Sequence, residues 1–537
     1  MARAQAIKTL SANDLHHALV QNSEIAALDV REAKFYAEGH INVSSHVALS
    51  SLELQLFHTL PRKTVPIVII DQAGTSAGEA ERAWEVLNAL SYTDLRILEG
   101  GINAWKAHGY ALGTGYNTWV KTFADLAHAH YATPTITVQQ LQARLNNGQP
   151  TTLIDCRPEQ EYRKLTVTGA CNVPGVELAL YDLNRVDAAH LYVISCFSRT
   201  RGIVATTTLA HLGNQPNVAF LEDGIMASFL QGVPTGPGDP HLPAPGDVAS
   251  DLVLRRHAES ILQRHALSVI DHNHYRQLLQ EQDVRTLYVF DVRPEASYLA
   301  GHLAQAVSAP GGQLLMTYDT QVPVRNARIV LVDDPHLKRA AVSAYWLSHF
   351  NDAEIHVLAM DQGNFEQVSG ANTVSVPEQV RWLTAQEVQA RFDRLCVVDV
   401  GPSLNYEQGH LPGAKFALRP SLPAWLQTQP PGPILFTSPD GVNAAYAAAQ
   451  LTQAFGIDAY ALKGGTEAWR QAGLALETDI QPQQLITPFD DDWGSTMRAK
   501  VDRERIFRDY LTWERNLGHA ISQDETVQFH CPALATH

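Results

Sequence analysis

Short, unbroken apolar runs recur along this chain and end on charged or small polar residues. Val68-Ile69-Ile70-Asp71, Val193-Ile194-Ser195-Cys196, Val330-Leu331-Val332-Asp333-Asp334 and Ile434-Leu435-Phe436-Thr437-Ser438 are of this kind. Runs without polar alternation predict strands buried on both faces, and intervening stretches such as Glu79–Leu87 read as helices. Apolar strands alternating with helices predict βαβ units, hence an α/β fold with parallel sheets flanked by helices. Substrate sites in such sheets lie at the carboxyl ends of the strands, where each of these runs opens into a loop.

Two further landmarks accompany each run in fixed order. One is a strand ending in Asp: Leu28-Asp29-Val30-Arg31, Ile154-Asp155-Cys156-Arg157, Phe290-Asp291-Val292-Arg293 and Val398-Asp399-Val400-Gly401. The other is a strand running into a glycine turn: Leu98-Glu99-Gly100-Gly101, Leu221-Glu222-Asp223-Gly224, Met360-Asp361-Gln362-Gly363 and Leu462-Lys463-Gly464-Gly465. From the first Asp to the loop position is 42, 41, 43 and 39 residues, and to the glycine 72, 69, 72 and 66. Four agreements of this kind mark an internal repeat. Each unit opens with a helix-start signature, capping boxes at Thr137 and Thr384 and N-caps at Ser11 and Asp271.

The repeat divides the chain into units over residues 1–115, 130–235, 250–375 and 380–478, with an extension over 479–537. Residues 113–134 read as a join. The Pro/Gly-rich segment 232–240 reads as the linker that splits the chain into two halves. In the extension Ile506, Phe507, Tyr510, Leu511 and Leu517 form a helical apolar stripe expected to pack on the body.

Composition narrows the chemistry. Five cysteines show no paired spacing, so neither a zinc knuckle nor a disulfide framework is indicated, and the 23 histidines show no metal-ligand spacing. Neither a metal nor a cofactor is expected. The net charge of -16 argues against nucleic acid or an anionic membrane as partner. Residues 1–14 carry no apolar leader-like run, and no run approaches a membrane span, so a cytoplasmic setting is expected. Any small anionic substrate needs a local positive site.

That site is expected at Cys196-Phe197-Ser198-Arg199-Thr200-Arg201-Gly202. A strand delivers the thiol into a tight loop that opens a helix. The amides of Phe197 to Gly202 and the guanidiniums of Arg199 and Arg201 would favour a thiolate, suited to nucleophilic attack on a small anion. Asp155 and Arg157 read as a supporting pair at a strand end. Cys156, Cys171 and Cys396 read as core, and Cys531 as an exposed tail thiol that could exchange with Cys196 if the tail folds back.

The Asp-Val-Arg strand end, Gly39-His40-Ile41, Gly301-His302-Leu303, Gly409-His410-Leu411-Pro412-Gly413-Ala414 and the Leu-Glu-Gly-Gly-Ile-x-x-Trp element resemble rhodanese domains. The whole chain resembles the long multi-rhodanese sulfurtransferases of bacteria. Unit two departs from the pattern, with Leu165-Thr166 in place of Gly-His and Arg199 at a loop position often filled by glycine. The resemblance implies a flavodoxin-like or Cdc25-like fold and transfer of sulfane sulfur through a cysteine persulfide. With four residues between Cys196 and Arg201, the loop is one shorter than those of tyrosine phosphatases.

The resemblance thus implies a sulfurtransferase acting through Cys196, with thiosulfate preferred over 3-mercaptopyruvate as donor because the loop is basic. A thiol, cyanide or protein would be the acceptor. Asp71, Asp334 (or its neighbour Asp333) and Ser438 fill the cysteine slot in the other units, which are expected to be inactive. The alternative is a relay or scaffold that hands persulfide sulfur to a protein partner.

Overall fold

The computed structural model describes residues 7–74, 78–183, 189–213, 215, 217–360, 366–494, 502–521 and 524–530. Within them are four five-stranded sheets with one shared strand order. In each, the unit's first strand lies at one edge, beside the strand that enters the glycine turn. Next come the slot strand, the strand ending in Asp and a two-residue strand at the far edge, all parallel. Numbered by position in the unit this is 1-5-4-2-3, not the 2-1-3-4-5 of flavodoxin-like sheets, so that part of the fold expectation is corrected. The unbroken apolar runs are central strands, Ile67–Ile70 and Ile434–Thr437 being buried along their full length.

The four N-caps form as read. Ser11 and Asp271 accept from the third residue on, and Thr137 and Thr384 close full capping boxes.

Register fixes the slot. Asp29 pairs with Ile70, Asp155 with Ser195 and Asp399 with Thr437, which makes Asp71, Cys196 and Ser438 the next residue in each. Asp291 pairs with Val332, so the slot residue of unit three is Asp333 and not Asp334. Two adjacent aspartates cannot be separated by spacing alone; the ladder separates them because a shift of one residue turns every side chain to the other face.

Two expected connectors are structural. Residues 113–134 contain the helix Thr118–Tyr131, which buries Trp119, Phe123 and Tyr131. Within 232–240, Thr235–Gly236 pairs antiparallel with Thr166–Val167, and the Tyr162 ring packs where a Gly238 side chain would stand. Nor does the chain fall into two halves. Units one and three share a single apolar core containing Leu28, Ile69, Phe290 and Leu331, and Tyr288 Oη donates to Thr59 O at 2.7 Å. Unit four keeps its own cores and leans on unit one through an Arg419–Glu53 ion pair.

The extension folds into the helix Arg503–Ile521. Of its expected stripe Phe507, Leu511 and Leu517 are buried, while Ile506 and Tyr510 are partly buried. Phe507 and Leu511 pack on Met226 of the helix Gly224–Leu230, which follows the glycine turn of unit two. Cys531, Asp361, Gly363 and Phe365 lie outside the described residues.

Candidate active site

The slot loop of unit two runs from the end of the strand Leu191–Ser195 to the helix Thr200–Thr207. Its backbone is oriented by the glycine turn. Ile225 N–H donates to Cys196 O at 3.0 Å and Met226 N–H to Phe197 O at 3.1 Å. With those carbonyls drawn to the neighbouring helix start, loop amides are left to face the slot side chain. Gly224 has φ +53°, and a Cβ on it would lie 2.3 Å from Cys196 O, so only glycine allows this approach. Units one and four repeat the arrangement, Ile102 and Asn103 donating to Asp71 O and Gln72 O, Thr466 and Glu467 to Ser438 O and Pro439 O. This is why the glycine landmark travels with the slot.

What fills each slot differs. Asp71 accepts from the amides of Ala73, Gly74 and Ala80 at 3.1, 2.5 and 3.1 Å. Asp333 accepts from Asp334, Arg339 and Ala340 at 2.8, 2.8 and 3.1 Å. Ser438 Oγ accepts from Ala444 at 3.3 Å. In units one and three a built-in carboxylate thus occupies the anion-binding amides. In unit two the slot side chain is the Cys196 thiol, which the Gly202 amide favours as thiolate.

Cys196 is 2% exposed. Burial pushes its thiol up; Arg201, the Gly202 amide and Arg157 pull it back, Glu514 works against them, and the net direction is upward. The expected thiolate-favouring balance is therefore not met in this closed arrangement, for two reasons. The tail helix excludes water, and Arg199 is turned away from the thiol. Its guanidinium binds Asp125 at 2.7 Å and Asp223 at 3.1 Å, a correction to its expected place beside the donor. Arg201 acts on the thiol while held by Glu161 at 2.6 and 2.8 Å.

The remaining loop residues are distributed around the thiol. Phe197 packs on Phe507 of the tail and lies 5.6 Å from the Arg157 guanidinium. Ser198 Oγ donates to Glu514 Oε1 at 3.1 Å. Thr200 is buried and, with Arg201, lines a narrow cleft of about 60 Å³ against the helix Gly311–Met316 of unit three. That cleft reaches Cys156 and does not reach Cys196 itself.

Asp155 and Arg157 form a buried bidentate pair, Nη2 to Oδ2 at 2.7 Å and Nε to Oδ1 at 3.0 Å. Thr166 Oγ1 donates to Asp155 Oδ2 at 2.8 Å. In the other units a histidine stands at this position and stacks on the preceding tyrosine, as in Tyr36–His40 and Tyr298–His302.

The Rhodanese-like domain model matches residues 11–108, 137–228 and 384–472, together more than half of the chain. The chain belongs to the rhodanese-like family. The third module lies outside the matched residues and is recognised by its sheet. A crystal structure of a thiosulfate sulfurtransferase from Pseudomonas aeruginosa is similar over 98% of this chain and 99% of its own, with 30% identity and a TM-score of 0.88. A Mycobacterium tuberculosis protein named "Putative thiosulfate sulfurtransferase SseB" is 30% identical over 179 residues, 33% of this chain. The chain spans about half the length of that curated relative, 55%.

Sequence reading missed Glu514, Lys121, Asp125 and Glu161. Glu514 carried a signal: it lies three residues from both Leu511 and Leu517, so a carboxylate sits on the buried face of an amphipathic helix. It is buried, its Oε2 has no hydrogen-bond partner, and burial raises its pKa despite Lys121. Lys121 Nζ in turn donates to Tyr116 O at 2.7 Å and is pushed down to about 8 by burial.

Proposed function

We propose that this rhodanese-like chain is a sulfurtransferase that moves sulfane sulfur through a persulfide on Cys196. The donor is thiosulfate or a related compound such as 3-mercaptopyruvate, and the acceptor a thiol or cyanide. The Cys196 sulfur attacks the outer sulfur of thiosulfate, the S–S bond breaks and sulfite leaves. The persulfide anion rests on the Gly202 amide with Arg201 and Arg157 nearby. An acceptor then takes the outer sulfur and frees the thiolate, in ping-pong order. The single supporting observation is that Cys196 alone puts a sulfur in a cradle that Asp71, Asp333 and Ser438 fill with oxygen. A carboxylate there is no nucleophile toward sulfane sulfur and repels an incoming anion, and the Ser438 hydroxyl has too high a pKa to replace a thiolate, so modules one, three and four are inactive in this reading.

Among the described residues no helix is long and apolar enough to cross a membrane. The proposed setting is the cytoplasm, where thiols stay reduced. Burial of Cys196 beneath the tail helix favours a second reading, a relay in which a protein partner lifts that helix and receives the sulfur. Thiocyanate formation from thiosulfate and cyanide, measured beside pyruvate release from 3-mercaptopyruvate, tests both. Turnover with thiosulfate that disappears in Cys196→Ser supports the enzyme. Negligible turnover with both donors despite a labelled Cys196 persulfide supports the relay, and activity retained in Cys196→Ser contradicts both.

A further inference from the structure

The residue after the strand-end Asp is Val30, Val292 and Val400 in modules one, three and four, but Cys156 in module two. The exchange occurs in the module that carries Cys196. Asp155 and Ser195 pair in register on adjacent parallel strands, so the next residues, Cys156 and Cys196, lie side by side at the sheet's end. The Cys156 amide donates to Ser195 O at 2.9 Å. Both side chains belong to one apolar cluster with Ile154 and Ile194, hence to one face. Neighbouring strands are about 4.8 Å apart, within the roughly 4.4–6.8 Å between Cα atoms that a disulfide spans.

Cys156 also senses the charge on Cys196. After burial, the Cys196 charge is the strongest influence on Cys156, and Arg201 and Arg157 act on both. Cys156 has what Cys196 lacks, a place in the wall of the cleft between modules two and three.

We propose that Cys156 resolves the Cys196 persulfide, which rests on the sulfur-transfer reading above. The Cys156 sulfur attacks Cys196 Sγ, forming a Cys156–Cys196 disulfide. The bond from Cys196 Sγ to the outer sulfur breaks, and that sulfur leaves as hydrosulfide with the Cys156 proton. The sulfane sulfur gains two electrons and the two cysteine sulfurs lose one each, so no external oxidant is needed. A dithiol from solution then reduces the disulfide by exchange and returns both thiols. The chain would thereby release sulfide from thiosulfate at the expense of a dithiol, an activity distinct from transfer to cyanide.

The experiment uses the full reduced chain, one equivalent of thiosulfate and no added thiol or cyanide. Cys156→Val is the comparison, since valine occupies this position in the three sister modules. Wild type should gain about 32 Da, then fall to about 2 Da below the reduced mass with one equivalent of sulfide released and a linked Cys156–Cys196 peptide. Cys156→Val should stop at the heavier species. Wild type that keeps the added mass on Cys196 without releasing sulfide, or carries it to Cys156, overturns the proposal.

Parallel treatment of sulfur-free protein with diamide separates this failure from failure of the transfer reading. If no sulfur is taken up yet diamide links Cys156 to Cys196, the pairing stands and the thiosulfate step falls. If diamide leaves both thiols free, the resolving role is refuted whatever the loading.

Discussion

Arg201→Gln and Glu161→Gln should move the Cys196 thiol in opposite directions. Arg201 is the foremost charge favouring the thiolate, and Glu161 holds it at 2.6 and 2.8 Å. An opposite charge at close range shifts a pKa by about 1–3 units. The Glu161 side chain is 32% exposed, so solvent screens the pair and the lower end applies. One unit is about 1.4 kcal/mol, or tenfold in thiolate fraction below the pKa. Arg201→Gln removes the favourable charge, so the midpoint of Cys196 alkylation should rise by about one unit. Glu161→Gln leaves Arg201 uncompensated, and the midpoint should fall by a similar amount. The assay is the iodoacetamide rate against pH, read on the Cys196 peptide by mass. Shifts of the same sign, or none in either variant, would refute the electrostatic account of the loop.

In module four Gly401 replaces the arginine of the Asp-x-Arg pair, and burial pushes Asp399 up to about 7 against the opposing Gly401 amide. A carboxyl raised in the fold stabilises most below its unfolded pKa and loses that contribution as pH climbs to 7. Wild type should therefore lose up to about 4 kcal/mol in module four between pH 4 and 7 by urea titration, and Asp399→Asn should flatten that slope. Equal slopes would contradict the assignment. Phe507→Ala removes a buried ring worth about 3–5 kcal/mol from the docked tail helix and should speed Cys196 alkylation about tenfold or more. An unchanged rate would mean that the helix does not control access. Arg199→Ala strips Asp125 of its partner and should cost about 2–3 kcal/mol in thermal unfolding, with the ratio of thiosulfate to 3-mercaptopyruvate turnover unchanged. A selective loss of thiosulfate use would restore Arg199 to the donor site.

The repeat and the slot were legible because backbone geometry demands them. Gly101, Gly224 and Gly465 stand where a Cβ would strike the slot carbonyl, so the glycine recurs with the loop it supports. The Asp-x-Arg motif was legible for a similar reason, since a strand-end arginine buried as deeply as Arg157 needs a fixed carboxylate. Module packing was not. Nothing in the spacing of Leu28 and Phe290 states that modules one and three share a core, because apolar periodicity names a buried face but not what covers it. The Pro/Gly composition of 232–240 suited a linker equally well as the edge pairing it makes. The loop's charge was legible and its direction was not. Arg199 and Arg201 look equivalent in sequence, yet Asp125, on a helix read as a join, claims the first. Burial of the thiol, with a smaller push from Glu514 more than 300 residues from the loop, then reverses the expected balance.

The central claim is that a single sulfur atom is carried on Cys196 while the three sister slots carry none. Peptide mapping of the full chain after brief exposure to labelled thiosulfate, quenched by alkylation, tests it most directly. The account predicts early label on the Cys196 peptide at up to one sulfur per chain, one sulfite released per sulfur bound, and no label in Cys196→Ser. Label that first appears on another cysteine, or sulfite release undiminished in Cys196→Ser, would contradict it.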